Sequence, residues 1–149
     1  MTVIAWKGDT IGADRCTIGA DRCTSVGRMK LESKKLTRCG NSVLATCGPV
    51  DFGNALIEWY TGGADPAKYP KYQERDDYAT LIVANQRGVF IYYQTPHAVA
   101  RTAPFGAIGD GAEIALGAMA AGASVQEAIE IANTYCTACG FGVDIENFR

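Results

Sequence analysis

The stretch Thr2-Val3-Ile4-Ala5-Trp6-Lys7-Gly8-Asp9-Thr10-Ile11-Gly12-Ala13-Asp14 frames the rest of the chain. Residues 2 to 7 and 10 to 14 are rich in β-branched and apolar side chains. Between them lies Gly8-Asp9, a pair suited to the positive φ of a tight hairpin turn. Two short antiparallel strands are expected. The segment from Thr10 to Cys16, TIGADRC, is then copied without change as Thr17 to Cys23. Two copies of seven residues do not make a repeat fold, whose units need about twenty residues or more. Seven is odd, so an unbroken strand would turn the two copies to opposite faces. The extra copy must be bulged, looped out or folded into an altered hairpin, and the sequence does not say which copy keeps the functional register.

Working outward, 149 residues suit one domain, residues 1–149, with a substantial core. The formal net charge of −2 gives no electrostatic case for nucleic acid or an anionic membrane. No signal-like segment opens the chain, and no apolar run approaches the ~18 residues of a membrane span. A cytoplasmic location is expected. Six cysteines do not make a disulfide scaffold in a chain able to build its own core. Cys136-Thr137-Ala138-Cys139 has redox or zinc spacing, but there is no second such pair and only one histidine, His97, to complete four ligands. Neither a metal nor a cofactor is expected.

Further along, Arg28 to Lys35 reads as a polar edge segment. Leu36 to Cys39 and Ser42 to Cys47 read as strands turned at Gly40-Asn41. Gly48-Pro49 opens a helix carrying Phe52, Leu56, Trp59 and Tyr60 at helical spacing, ended by Gly62-Gly63. Residues 64–77 read as an ordered connection whose Tyr69 and Tyr72 pack over the core. Tyr78 to Ala84 and Val89 to Tyr93 form a hairpin around Asn85-Gln86-Arg87-Gly88. A loop or short strand with His97 on the surface follows. Then come a helix over residues 110–121, a second from the capping box Ser124-Val125-Gln126-Glu127 through Tyr135, and a last strand from Phe141 to Ile145. This order argues for antiparallel sheets covered by helices, an α+β class.

Removal of Met1 would leave Thr2 with a hydroxyl and a free α-amine on adjacent atoms. An α-amine titrates near 7.7 to 8, so part of it is a free base at neutral pH and can take the proton of its own hydroxyl. Taken in order, these pieces resemble the proteasome β-subunit and HslV-like family of N-terminal-nucleophile hydrolases, of the short bacterial or phage type. Thr2-Val3-Ile4-Ala5 is similar to the family's threonine-led first strand. Ile11 to Asp14, or its copy Ile18 to Asp21, is similar to the strand that supplies an aspartate. Asp14 has the hairpin spacing back to Thr2, whereas Asp21 has the better spacing to the following Gly27. Lys34-Lys35-Leu36 resembles the family's lysine pair, which maps the catalytic lysine to Lys34. Ala45 to Gly48 resembles the turn whose glycine amide helps to form the oxyanion hole. Residues 107–112 resemble the glycine-rich turn before a later helix.

The resemblance implies a four-layer α-β-β-α sandwich of antiparallel sheets, the N-terminal-nucleophile hydrolase fold. It implies a threonine-type peptidase subunit of a self-compartmentalised ring, acting on peptide or unfolded protein. Thr2, Asp14 or Asp21, Lys34 and Gly48 are then the catalytic positions. It also implies stacked homo-oligomeric rings and an AAA+ unfoldase as partner. The chain departs from the family pattern at supporting positions. Asp110 stands where the family has a serine. Cys136 and Cys139 stand where it has the aspartate and serine that support the N-terminal amine, and thiols are poor substitutes for a charged acceptor. A catalytically silent ring or assembly protein is the competing reading, and an amidase on a small substrate a third.

Overall fold

The computed structural model describes residues 2–19, 29–71 and 78–149. Expectations for Met1, Asp21, Tyr72 and the turn at residues 24–27 lie outside these. In chain order the strands are β1 (Val3–Lys7), β2 (Thr10–Asp14), β3 (Cys16–Gly19), β4 (Met29–Glu32), β5 (Leu36–Cys39) and β6 (Ser42–Cys47). Helix α1 (Val50–Thr61) and a 3₁₀ turn (Pro66–Lys68) follow. Then come β7 (Thr80–Asn85), β8 (Gly88–Tyr92), β9 (Val99–Arg101), β10 (Phe105–Gly109), helices α2 (Ala112–Ala120) and α3 (Val125–Tyr135), and β11 (Val143–Asn147).

Strand periodicity builds the layers. In the four-stranded antiparallel sheet β10-β1-β2-β11, alternate residues of β1 face opposite ways. Ile4 and Trp6 join Ile11 and Ala13 against Val43, Ala45, Ile82, Ala84 and Ile91 of the second sheet, β5-β6-β7-β8-β9. Val3 and Ala5 face the other way, onto Ala115 and Met119 of α2 and Val125, Ile129 and Ala132 of α3. The outer face of the second sheet, Leu44, Leu81 and Val83, packs on Phe52, Leu56 and Trp59 of α1. The order helix, sheet, sheet, helix is the expected four-layer sandwich. Helix α3 starts as its sequence foretells: the Ser124 side chain accepts from the Glu127 N–H while the Glu127 carboxylate accepts from the Ser124 N–H at 2.8 Å. Donation to that carboxylate from the Ser124 N–H, and then from the Ser124 hydroxyl, holds the Glu127 carboxyl below its usual range. Among the described residues no helix is long and apolar enough to cross a membrane.

Two findings go beyond the sequence reading. Residues 105–109, of which 107–109 are read from sequence as part of a glycine-rich turn, form β10, the partner of β1 over its whole length. Its two glycines weaken the strand signal, and both are demanded by β1. A Cβ at Gly106 would lie 2.2 Å from the Trp6 indole, and one at Gly109, which has φ +103°, would lie 2.2 Å from the Thr2 carbonyl oxygen. The second finding concerns the repeat. Its first copy is β2 plus Arg15 and Cys16. The strand breaks at Arg15, Cys16 opens β3, and the second copy begins inside β3, which pairs with β4 in a separate two-stranded sheet. The odd-numbered phase problem is met by leaving the sheet.

Candidate active site

Thr2 sits immediately before β1 and is 2% exposed; Asp14 ends β2 and is fully buried. The hairpin at Gly8, φ +59°, folds β2 back along β1 and brings the two side chains together from twelve residues apart. The Thr2 hydroxyl donates to Asp14 Oδ1 at 2.7 Å, and the Val3 N–H donates to the same oxygen at 2.9 Å. Asp14 Oδ2 accepts from the Cys16 N–H at 3.1 Å and from the Gly140 N–H at 3.3 Å. An aspartate that binds the N–H two residues on favours a turn over a continuing strand. Asp14 therefore both serves the site and ends β2.

Lys35 is the second arm. Its ammonium lies 2.7 Å from Asp14 Oδ1, with its side chain only 8% exposed, and it also donates to the Thr2 hydroxyl oxygen. This corrects the assignment to Lys34, which is exposed. Residues 33–35 form a connector between β4 and β5 that belongs to neither strand. Its Ser33 N–H donates to the Arg15 carbonyl at 2.8 Å, and Leu36 is anchored in the core between the sheets. Between those fixed points the residue next to Leu36, not the one before it, reaches the carboxylate. The pair of lysines marked the neighbourhood, but no strand phase was available to choose between them. Burying a carboxylate and an ammonium is unfavourable unless their remaining hydrogen-bonding capacity is met; here Asp14 accepts five bonds.

Arg15 braces this end of β2. Its Nε and Nη2 donate to Asp144 Oδ1 of β11 at 2.9 and 2.6 Å, and its Nη1 lies 3.4 Å from Glu32 of β4. Its backbone N–H donates to the Gly140 carbonyl at 3.1 Å. The position of Asp14 is thus set by β11 and β4 as well as by β1.

The backbone N of Thr2 points to Asp110, donating to Oδ2 at 3.2 Å. Asp110 lies in the turn between β10 and α2, and the neighbouring Gly111 N–H donates to the Thr2 carbonyl at 3.3 Å. The Asp110 carboxylate is thus the group that meets the nitrogen. Cys136 and Cys139 sit in the turn after α3. The Cys139 side chain packs against Gly111, and a Cβ on that glycine would come within 2.9 Å of the sulfur. Burial, with the nearby Asp14 charge second, pushes the Cys139 thiol well up.

Gly48 follows β6 and has φ +117°. A Cβ there would strike the Tyr78 carbonyl oxygen at 2.6 Å, so both backbone and space require glycine. Burial raises the thiol of the preceding Cys47, and the charges of Asp110, Lys35 and Asp14 act on it as well. The end of β6 is therefore within electrostatic reach of the Thr2 cluster. Asp21 lies outside the described residues. Among those described, no three His, Cys, Asp or Glu side chains gather to hold a metal ion.

No protein-family model and no curated protein matches the chain. Solved structures do. Eukaryotic HslV from Trypanosoma brucei is 21% identical with a TM-score of 0.68 over 97% of both chains. Thiobacillus denitrificans BPH, in a complex with epoxomicin and in a second structure, is 19% identical with a TM-score of 0.67, over 99% of this chain and 98% of that one. This chain has the same fold as these proteins.

Proposed function

We propose that this chain, with the fold of HslV and the epoxomicin-binding BPH, is a threonine peptidase whose nucleophile is Thr2 after removal of Met1. The observation that supports this most strongly is the Thr2 hydroxyl held between the Asp14 carboxylate and the Lys35 ammonium. The freed α-amine takes the hydroxyl proton as Oγ1 attacks a peptide carbonyl. Lys35 disfavours a second positive charge beside it, which keeps more of the amine in its base form, while Asp14 holds Lys35 in place. The Gly48 N–H, at the mouth of α1, stabilises the developing oxyanion, a contribution of about 3 kcal/mol for one such donor. Water then hydrolyses the acyl-enzyme.

Asp110 works in the opposite sense. A carboxylate beside an amine favours the ammonium, so Asp110 positions the amine and raises the pH at which it becomes a base. The subunit works in stacked homo-oligomeric rings fed by an AAA+ unfoldase. The apolar side chains left on the outer face of α3, Ile131 at 38% and Tyr135 at 75% exposure, suit contact with another subunit. The buried Asp14–Lys35 pair closed on the Thr2 hydroxyl favours this reading over a catalytically silent ring.

Intact mass and peptide turnover test this reading. The purified protein is expected to lack Met1 and to hydrolyse an unstructured fluorogenic peptide, and Thr2→Ala is expected to abolish turnover while keeping the fold. Full retention of Met1, or turnover undiminished in Thr2→Ala, overturns it.

A further inference from the structure

The CxxC motif has no part in the mechanism above, yet it forms a wall of the site. Helix α3 ends at Tyr135, and the chain turns so that the Cys139 N–H donates to the Cys136 carbonyl at 3.1 Å. A turn closed by that i to i+3 bond holds its end Cα atoms within about 7 Å, and disulfides span Cα separations of about 4.4–6.8 Å. The two cysteines occupy the two ends of that turn. Neither is in a disulfide, and their side chains are hydrogen-bonded to each other. Cys136 is half-buried and open to a small oxidant, while Cys139 is buried.

The turn touches the catalytic cluster twice. Cys139 packs on Gly111, whose N–H holds the Thr2 carbonyl. The next residue, Gly140, donates its N–H to Asp14 Oδ2 and accepts from the Arg15 N–H. Drawing the sulfurs together to the ~2.05 Å of a disulfide acts on the turn that carries both the Gly111 contact and the Gly140 hydrogen bonds.

We propose that Cys136 and Cys139 are a reversible thiol–disulfide pair whose oxidation disturbs the Asp14 and Thr2 anchors and so slows the site; the activity part of this rests on the peptidase reading. The oxidant class is a low-molecular-weight disulfide. The Cys136 thiolate attacks one of its sulfurs and releases one thiol. Cys139 then gives its proton to solvent, attacks the Cys136 sulfur of the mixed disulfide and expels the second thiol. Two protein thiols are oxidised and one small disulfide is reduced to two thiols. The raised Cys139 thiol makes the second step slow at neutral pH and faster as pH rises.

Trypsin isolates the pair, because residues 102–149 contain no Lys or Arg before Arg149 and no other cysteine. After treatment with oxidised glutathione and digestion without reductant, that peptide is expected to lose two hydrogen masses. Cys139→Ala is expected to stop at a glutathione adduct on Cys136, and Cys136→Ser to form no disulfide. Amide exchange at Val3 and Gly140 is expected to quicken on oxidation in the wild type only. The rate of Thr2 labelling by a peptide epoxyketone is expected to fall about tenfold or more, as small misplacements of reacting groups do, and to recover with dithiothreitol. A 102–149 peptide that keeps both hydrogens, or a disulfide that leaves amide exchange unchanged, overturns the proposal. Absence of labelling in both redox states would instead count against the peptidase reading, with the mass and exchange results still deciding this one.

Discussion

The two copies of TIGADRC begin alike and are used differently. In the first, Thr10 to Asp14 form β2 between β1 and β11, and Asp14 is buried against Thr2 and Lys35. In the second, Thr17, Ile18 and Gly19 lie in β3, whose partner is β4. Local propensity cannot separate identical residues; neighbours do. The first copy has a hairpin at Gly8 before it and a sheet on both edges, whereas the second begins after Asp14 has turned the chain out of that sheet.

The most severe way to break this comparison is to exchange the carboxylates for amides one at a time. Asp14→Asn is expected to lower peptide turnover by about 10²-fold or more, since Lys35 loses its charged partner and the Thr2 hydroxyl its acceptor. Asp21→Asn is expected to stay within about twofold of wild type. Equal losses in both would show that the second copy also supplies the site.

The lysines give the next largest contrast. Lys35→Met leaves the buried Asp14 carboxylate without its counter-ion and is expected to cost about 3–5 kcal/mol in denaturant-measured stability. Lys34→Met, at an exposed side chain, is expected to stay within about 0.5 kcal/mol. A smaller effect probes how the first copy is packed. A Cβ at Gly12 would meet side-chain atoms of Ile145, Ile129 and Val125 at 2.6 to 2.9 Å, so Gly12→Ala is expected to destabilise by about 1–3 kcal/mol. Smallest is the change at the other carboxylate near Thr2. Asp110→Asn removes the charge that favours the ammonium, so the rising limb of the pH–rate profile is expected to move about one unit towards acid. A limb that stays in place would mean that Asp110 does not meet the amine.

What the sequence disclosed, and what it withheld, follow the same division between local and distant causes. The opening hairpin, the Gly48-Pro49 entry to α1 and the Ser124–Glu127 box are set by residues next to one another, and all three were legible. The choice of Asp14 over Asp21 needed the strand break at Arg15, which depends on Asp144 and Gly140 more than a hundred residues away. The site lysine was placed at Lys34 and not at Lys35 because a connector outside any strand has no alternation to read. Strand β10 was missed because its glycines answer to Trp6 and Thr2, not to any local rule. Asp110 was marked by its motif position, but the nitrogen it meets became visible only when β10 was laid along β1.

The nucleophile itself is tested most directly by a covalent trap. A peptide epoxyketone incubated with the purified protein is expected to give one adduct, mapped by peptide mass spectrometry to a Thr2 that has lost Met1, and none in Thr2→Ala. An adduct on another residue, or no adduct on protein lacking Met1, would contradict the assignment of Thr2 as nucleophile.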